Sequence, residues 1–109
     1  MLYFYMDSEL RTKILSSAQR ALHGAVAPGL RGVTVDYDRQ LITLRAYFDK
    51  DATEDDKEDI SVALTGIMAD VYNDIEKCGY EPVDLPFPKL MPGLHEWLYL
   101  RKNDTTNIL

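Results

Sequence analysis

The sequence predicts an α+β domain with the element order αββαββ, in which about four strands form a mainly antiparallel sheet packed with two helices. Two long stretches repeat apolar residues every three or four positions, as amphipathic helices do, and four shorter stretches alternate apolar with polar residues, as strands do. A chain of 109 residues has room for a single hydrophobic core. We therefore expect one domain over residues 1–109.

The first helix is predicted along SELRTKILSSAQRALHG. Asp7 or Ser8 can cap its start, and Gly24 is a suitable residue just beyond its end. The apolar residues share one face, which holds Leu10, Ile14, Ala18 and Ala21. This face must be covered by the sheet or by another helix.

Two alternating segments then predict an antiparallel hairpin joined by the polar turn DRQ. The first segment, VTVDYD, is typical of a half-buried strand. The second, LITLRAYF, directs one set of side chains to the core, namely Ile42, Leu44, Ala46 and Phe48. Tyr47 alternates to the opposite face, where we expect it to point outward.

The stretch FDKDATEDDKEDI joins this hairpin to the second helix. Thr53 and Asp56 have the spacing of a capping box, and the helix dipole favours acidic residues in the first turn. The helix is expected over about residues 54 to 77, with Gly79 ending it. Its apolar stripe consists of Ile60, Leu64, Ile67, Val71 and Ile75.

The last two strands are predicted in YEPVDLPF and HEWLYLR. Two prolines restrict the first of them to a sheet edge or a short strand. In the second, large side chains point to both faces, so both should be partly covered. Residues 102–109 are expected to form a flexible tail.

The charge of the chain favours a protein partner over nucleic acid. Lys and Arg number 12 and Asp and Glu number 18, which gives a net charge of −6 and repels phosphates. The same sign attracts a basic protein. No apolar run is long enough for a membrane helix, and the one cysteine excludes an intrachain disulfide. We expect a cytoplasmic protein that binds neither nucleic acid nor a membrane.

The side chains capable of metal binding or catalysis do not form a recognisable site. In a calcium loop, Glu54 would replace the required glycine and Ile60 the closing glutamate. Cys78 is expected in the last turn of the second helix, where the dipole does not activate a thiolate. His23 and His95 lack the spacing of a ligand pair. We predict no metal, no cofactor and no enzymatic activity.

Two interpretations of the acidic stretch remain open, a solvated helix start and a negative surface that docks a basic partner. For the second, the predicted contacts are Asp49, Asp51, Asp55, Glu58 and Asp59, with Tyr47 as an aromatic anchor. Small residues on the outward side of the helix, Val62, Gly66 and Ala69, offer a strip against which helix one or another protein could pack.

A set of short motifs follows the first helix. They comprise, in chain order, Leu30, Arg31, Val33, Val35 and Asp38; Phe48 and Asp49; Glu54, Asp55, Glu58 and Asp59; Asp84 and Pro86; and Gly93, Trp97, Tyr99 and Arg101. Together they resemble the small immunity proteins of bacterial contact-dependent growth inhibition systems, over about residues 30 to 102. The resemblance implies a non-enzymatic protein that binds the C-terminal toxin domain of the matching effector, often a nuclease, and blocks it in the cytoplasm.

Two alternatives to this interpretation stay open. The chain could be a homo-oligomeric or adaptor module without a toxin, in which the strip of Val62, Gly66 and Ala69 pairs with itself. It could also be a small hydrolase that uses carboxylates together with His95. For the immunity interpretation we expect a monomer or weak dimer whose partner is a basic toxin domain.

Overall fold

Two helices and four strands follow one another in the predicted order, and the fold class is confirmed. The structure is a computed structural model that describes the backbone of residues 2–109 and the side chains of residues 8–109. Its elements are α1 (Leu2–Leu22), β1 (Leu30–Tyr37), β2 (Leu41–Phe48), α2 (Glu54–Val71), β3 (Lys77–Asp84) and β4 (Glu96–Leu100), followed by a 3₁₀ turn at Lys102–Asp104.

The strands form one mixed sheet in the order β3-β2-β1-β4. β1 pairs antiparallel with both β2 and β4, whereas β3 runs parallel to β2. α2 is the crossover between β2 and β3, because parallel neighbours cannot be joined by a tight turn. The sheet is therefore mainly antiparallel, as predicted, with β1 and β2 at its centre.

The turn between β1 and β2 is closed by Asp38. Its carboxylate accepts hydrogen bonds from the backbone N–H groups of Leu41 at 2.9 Å and Gln40 at 2.7 Å. These two bonds hold the pKa of the Asp38 carboxyl below its ordinary value. The predicted hairpin and its polar turn are confirmed.

The hydrophobic core is built from both helices and from the central strands β1 and β2. Its buried side chains include most of those predicted from apolar spacing: Leu10, Ile14 and Ala18; Ile42, Leu44, Ala46 and Phe48; Ile60, Leu64, Ile67 and Val71. Full burial of each large aliphatic side chain contributes about 1.5–3 kcal/mol. Among the described helices, neither combines the length and the apolar character that a bilayer crossing requires.

α1 begins earlier than predicted. It starts at Leu2, so Asp7 and Ser8 lie inside the helix and a cap at either residue is wrong. The backbone carbonyl oxygen of Ser8 accepts a hydrogen bond from the Thr12 hydroxyl at 3.0 Å, while the side chain of Asp7 lies outside the described residues. The residues before Asp7 include no Gly or Pro that would interrupt a helix. Gly24, with φ of 91°, is confirmed as the residue beyond the helix end.

α2 ends at Val71 rather than near residue 77. After a turn, the backbone N–H of Lys77 donates to the carbonyl oxygen of Gln40 at 3.0 Å, which begins the pairing of β3 with β2. Ile75 lies between helix and strand and is nevertheless buried. The apolar spacing therefore continued past the true end of the helix.

β3 is an edge strand and begins earlier than the predicted segment YEPVDLPF. Gly79 and Cys78 belong to this strand, so their predicted places at a helix end are wrong; the Cys78 thiol is free and exposed. The N–H groups of Lys77 and Leu85 both point to β2, so the alternate set, which includes Pro82, faces the open edge. Proline there removes no sheet hydrogen bond, and the predicted edge position is confirmed.

β1 is buried on both faces along residues 30–35, whereas a half-buried strand was predicted. Chain that follows β3 covers the second face. There the Thr34 hydroxyl donates to the carbonyl oxygen of Glu96 at 2.7 Å and accepts from the N–H of Leu94 at 2.9 Å. β4 is half-buried along its length, as predicted.

Residues 102–109 pack against the rest of the chain, so the prediction of a flexible tail is wrong. Asp104 is fully buried in an ion pair with Arg31. Farther along, Ile108 forms a parallel β-bridge with Met91. The polar composition of this segment gave no sign of these contacts, because both partners are distant in sequence.

Candidate protein-binding site

The acidic stretch forms the junction between β2 and α2. The Thr53 hydroxyl oxygen accepts a hydrogen bond from the N–H of Asp56 at 3.1 Å, and the Asp56 carboxylate accepts one from the N–H of Thr53 at 2.9 Å. This is the predicted capping box. An N-cap of this type contributes about 1 kcal/mol and fixes where the helix begins.

Asp49, the first acidic residue of the stretch, is held by the protein itself. Its carboxylate accepts hydrogen bonds from Arg101 Nη2 at 2.9 Å and from the backbone N–H groups of Lys50 at 2.9 Å and Phe87 at 3.2 Å. The bond from Arg101 is the main reason why the pKa of the Asp49 carboxyl falls to about 2. With a side chain only 17% exposed, Asp49 is a structural residue more than an open contact.

Lys57 neutralises another part of the acidic stretch. Its ammonium group lies 2.9 Å from the carboxylate of Asp84 on β3 and 3.4 Å from that of Glu54. The hydrogen bond to Asp84 is the main reason why the pKa of Lys57 is raised. Glu54 and Asp84 are thus partly compensated within the chain.

Four carboxylates of the acidic stretch remain exposed and make no hydrogen bond or ion pair with any side chain that the structure describes. These four, here called the acidic surface, are Asp51, Asp55, Glu58 and Asp59. The last three share one face of α2, since residues three and four apart are neighbours on a helix. The structure thus leaves four of the six predicted contact residues open to solvent. Their contact with a partner stays a prediction.

A shallow groove of about 370 Å³ lies beside the acidic surface, between the end of α1 and α2. Its lining includes Asp59 and Val62, and the Val62 side chain is 61% exposed. Farther along α2, a Cβ atom on Gly66 would lie 3.8 Å from Ala21 of α1. Helix one therefore borders the predicted small-residue strip, whose members Val62, Gly66 and Ala69 all remain exposed.

Asp70 shows how α1 is fixed along α2. Its carboxylate accepts hydrogen bonds from the Ser17 hydroxyl at 2.6 Å and from Arg20 at 3.0 Å. Both bonds lower the pKa of the Asp70 carboxyl, with the bond from Ser17 first. Asp70 therefore pairs with α1 while its side chain stays partly exposed.

Tyr47 lies on the predicted sheet face but is only 2% exposed, so the expected outward side chain is a wrong prediction. Its hydroxyl donates a hydrogen bond to the carbonyl oxygen of Pro92 at 2.6 Å. Its ring lies 6.3 Å from that of Trp97 between centroids. The chain after β3 folds over this face and removes Tyr47 from the surface.

The exposed apolar side chains that were not among the predicted contacts include a pair close together in sequence. Phe87 is 47% and Leu90 is 49% exposed, and both lie in the proline-rich segment after β3. The signal in the sequence is the pattern PFPKLMP, in which prolines fix a backbone whose apolar side chains do not follow helix or strand spacing.

Comparison with protein families decides what kind of protein carries this surface. The family model described as MafI2 immunity protein matches residues 11–103, which include most of α1 and the whole sheet. The chain belongs to the MafI2 immunity protein family. A comparison with curated proteins gives no significant match. The predicted immunity function is thereby confirmed as that of a toxin-neutralising protein, whereas the family description does not name contact-dependent growth inhibition.

The potential catalytic residues of this MafI2 immunity protein are dispersed. His23 lies beyond α1 and is exposed, while His95 packs edge-to-face on Tyr37 with 5.7 Å between ring centroids. Within residues 8–109, no group of three or more His, Cys, Asp or Glu side chains is arranged to hold a metal ion. Immunity proteins are in general inhibitors rather than enzymes, and the acidic surface is the feature that fits such a role.

Proposed function

We propose that this MafI2 immunity protein neutralises its cognate toxin by stoichiometric binding in the cytoplasm of the producing cell. The observation that carries the proposal is the acidic surface, whose four exposed carboxylates make no bond with any described side chain. Its partner would be the basic C-terminal nuclease domain of a contact-dependent growth inhibition effector. Binding would occlude the active cleft of that domain or a surface next to it.

Charge supports the choice of a basic partner. The chain carries a net charge of −6, and exposed carboxylates on one helix face concentrate negative potential there. Such a potential accelerates association with a domain that is positive where it grips nucleic acid. Because the carboxylates are exposed, dissolved salt should screen this attraction. At an ionic strength of about 0.1 M the screening length is about 10 Å.

An apolar contact next to the acidic surface supports stable binding after the encounter. Val62 lies one helical turn beyond Glu58 and Asp59, and most of its side chain is exposed. Interfaces combine a desolvated apolar centre with a charged rim, and Val62 with its neighbouring carboxylates has that arrangement. Val62 replaces Tyr47 as the apolar contact in this proposal, because the Tyr47 side chain is buried.

The direct test is binding to a candidate toxin, namely the C-terminal domain of any secreted protein whose gene adjoins the gene for this chain. We expect a complex with one immunity protein per toxin domain in calorimetry, and loss of toxin activity at equimolar concentration. A toxin domain of another immunity type serves as the control and should remain active. No binding to the cognate domain, or binding without inhibition, would contradict the proposal.

A second function, self-association without a toxin, is favoured only by the exposure of Val62 beside the groove. Sedimentation of the isolated protein distinguishes it. A stable dimer that dissociates when Val62 is replaced by Ser would support this alternative. A monomer at micromolar concentration would exclude it.

A further inference from the structure

A fully buried ion pair joins β1 to the C-terminal residues. Arg31 Nη2 lies 2.7 Å from Asp104 Oδ1, and both side chains are 0% exposed. The remaining donors of Arg31 reach the backbone carbonyl oxygens of Leu85 at 2.7 Å and Lys89 at 2.8 Å. One guanidinium therefore binds two separate segments, residues 85–92, here called the loop, and residues 101–109, here called the strap.

The loop and the strap also bind each other through their backbones. The N–H of Met91 donates to the carbonyl oxygen of Asn107 at 2.9 Å, and the N–H of Leu109 donates to that of Met91 at 2.9 Å. The Asn107 side chain donates to Asp104 at 3.1 Å. Neither segment can keep these bonds if the other moves away.

The strap is joined to the rest of the chain by several polar contacts. Met91 is fully buried, yet it is not part of the hydrophobic cluster formed by the helices and the sheet. Arg101 extends the polar contacts with hydrogen bonds to Pro28 at 2.8 Å, Asp49 at 2.9 Å and Asp104 at 3.0 Å. The unit formed by loop and strap thus has its own small centre.

The energetics of this centre differ from those of an apolar core. Burial, the largest single effect, raises the pKa of the Asp104 carboxyl. The hydrogen bonds from Arg31 and Asn107 and the positive charges of Arg31 and Arg101 together outweigh it, so that the pKa lies below its ordinary value. Burial removes the hydration of both charges, and this cost in free energy cancels much of what their attraction contributes. Opening restores the hydration. Regions with few apolar contacts open at lower free energy than the core.

We propose that the loop and the strap form one cooperative unit, latched by Arg31 and Asp104, which opens and closes as a whole while the helices and the sheet remain folded. The unit carries the exposed side chains of Phe87 and Leu90, so its closure also fixes their positions. This device does not depend on the proposed toxin binding, and it can be measured on the isolated protein.

Native-state hydrogen exchange at low denaturant concentrations tests the proposal. The amides of Lys89, Met91 and Leu109 should exchange with one common opening free energy, below that of amides in β1 and β2. Separate opening free energies for Met91 and Leu109 would overturn the proposal. So would exchange of both amides only on global unfolding.

Variants identify the latch. Asp104→Asn leaves Arg31 without its buried countercharge and should accelerate exchange at Met91 and Leu109 together by at least about tenfold. Ile108→Gly keeps the ion pair, serves if the first variant fails to fold, and should accelerate the same amides. Asp74→Asn, which breaks an exposed ion pair with Lys13, is the matched control and should leave them unchanged. Acceleration of strap amides alone would show that the two segments open independently.

Discussion

The carboxylate of Asp49 lies 2.9 Å from the guanidinium of Arg101. This pair connects the end of β2 with the residue that follows β4. It also explains why the acidic stretch divides into two parts. Asp49 is compensated within the chain, whereas Asp51, Asp55, Glu58 and Asp59 are open to solvent.

Asp49→Asn should lower stability in a pH-dependent way. The native pKa of about 2 lies below the ordinary value of 3.8, so the native state holds the charged carboxylate more strongly than the unfolded state does. The stabilisation, about 2 kcal/mol, is complete above the unfolded-state value and is lost as the pH falls toward 2. Urea unfolding from neutral pH to pH 2.5 should show the difference between wild type and variant shrinking across this window.

Asp51→Asn is the matched control for this measurement, because Asp51 is exposed and makes no described hydrogen bond. Its stability should follow that of the wild type at every pH. An Asp49→Asn variant that remains less stable by a constant amount down to the lowest pH would contradict the role assigned to the carboxylate charge.

Charge reversal at Asp55, Glu58 and Asp59 to Lys should slow association with the toxin domain. Removal of electrostatic steering is expected to reduce the association rate constant by about tenfold or more at low ionic strength. The dependence of this rate constant on salt should become weaker or change sign. Stopped-flow fluorescence at low and high ionic strength measures both effects.

The matched control reverses Glu9, Asp36 and Glu76, which are exposed elsewhere and change the net charge equally. Circular dichroism checks that α2 survives, because each reversed charge near its start costs about 0.3–1 kcal/mol. If the two triple variants bind the toxin domain at the same rate, the acidic surface has no specific role in steering.

Tyr47→Phe should destabilise the protein without changing its affinity for a toxin. The variant loses the 2.6 Å hydrogen bond to the Pro92 carbonyl oxygen, a loss of about 0.5–1.5 kcal/mol. Urea unfolding measures this change. Calorimetric titration with the toxin domain should give an unchanged dissociation constant, since the side chain is buried. If the variant is fully folded and still binds the toxin domain more weakly, Tyr47 is a contact residue after all.

Gly93→Ala should destabilise the protein, whereas Gly79→Ala should not. A Cβ atom on Gly93 would lie 2.7 Å from Nε1 of Trp97, while one on Gly79 would come no closer than 4.0 Å to Leu41. Overpacking of this kind costs about 1–3 kcal/mol. Thermal unfolding of both variants tests the contrast, and equal melting temperatures would show that Trp97 moves aside freely.

Local signals in the sequence were sufficient for the hairpin and for the start of α2. Asp38 closes its turn with neighbouring N–H groups, and Thr53 pairs with a residue three positions on. The end of α2 was not accessible in this way. Ile75 continues the apolar spacing of the helix and is buried, although it lies beyond the end of α2. The pairing of Lys77 with Gln40, which begins β3, involves a residue far away in sequence.

The exposure of the predicted contact residues was likewise predictable where it depends on local geometry and not where it depends on residues distant in sequence. Glu58 and Asp59 are exposed as helical spacing predicts, because only helix geometry decides their direction. Alternation placed Tyr47 on the correct face but could not show that Pro92 returns to cover it. Arg31 and Asp104 were missed as a pair, since 73 positions separate them.

The central strand β1 acquires its two neighbours at different stages of synthesis. β2 follows directly at Leu41–Phe48, whereas β4 comes only at Glu96–Leu100. While the ribosome is still extending the chain, β1 and β2 can pair, but the other edge of β1 has no partner. An unpaired edge of this kind is a template for other strands. The nascent chain, rather than the finished domain, is therefore the stage at which β1 is open to mispairing.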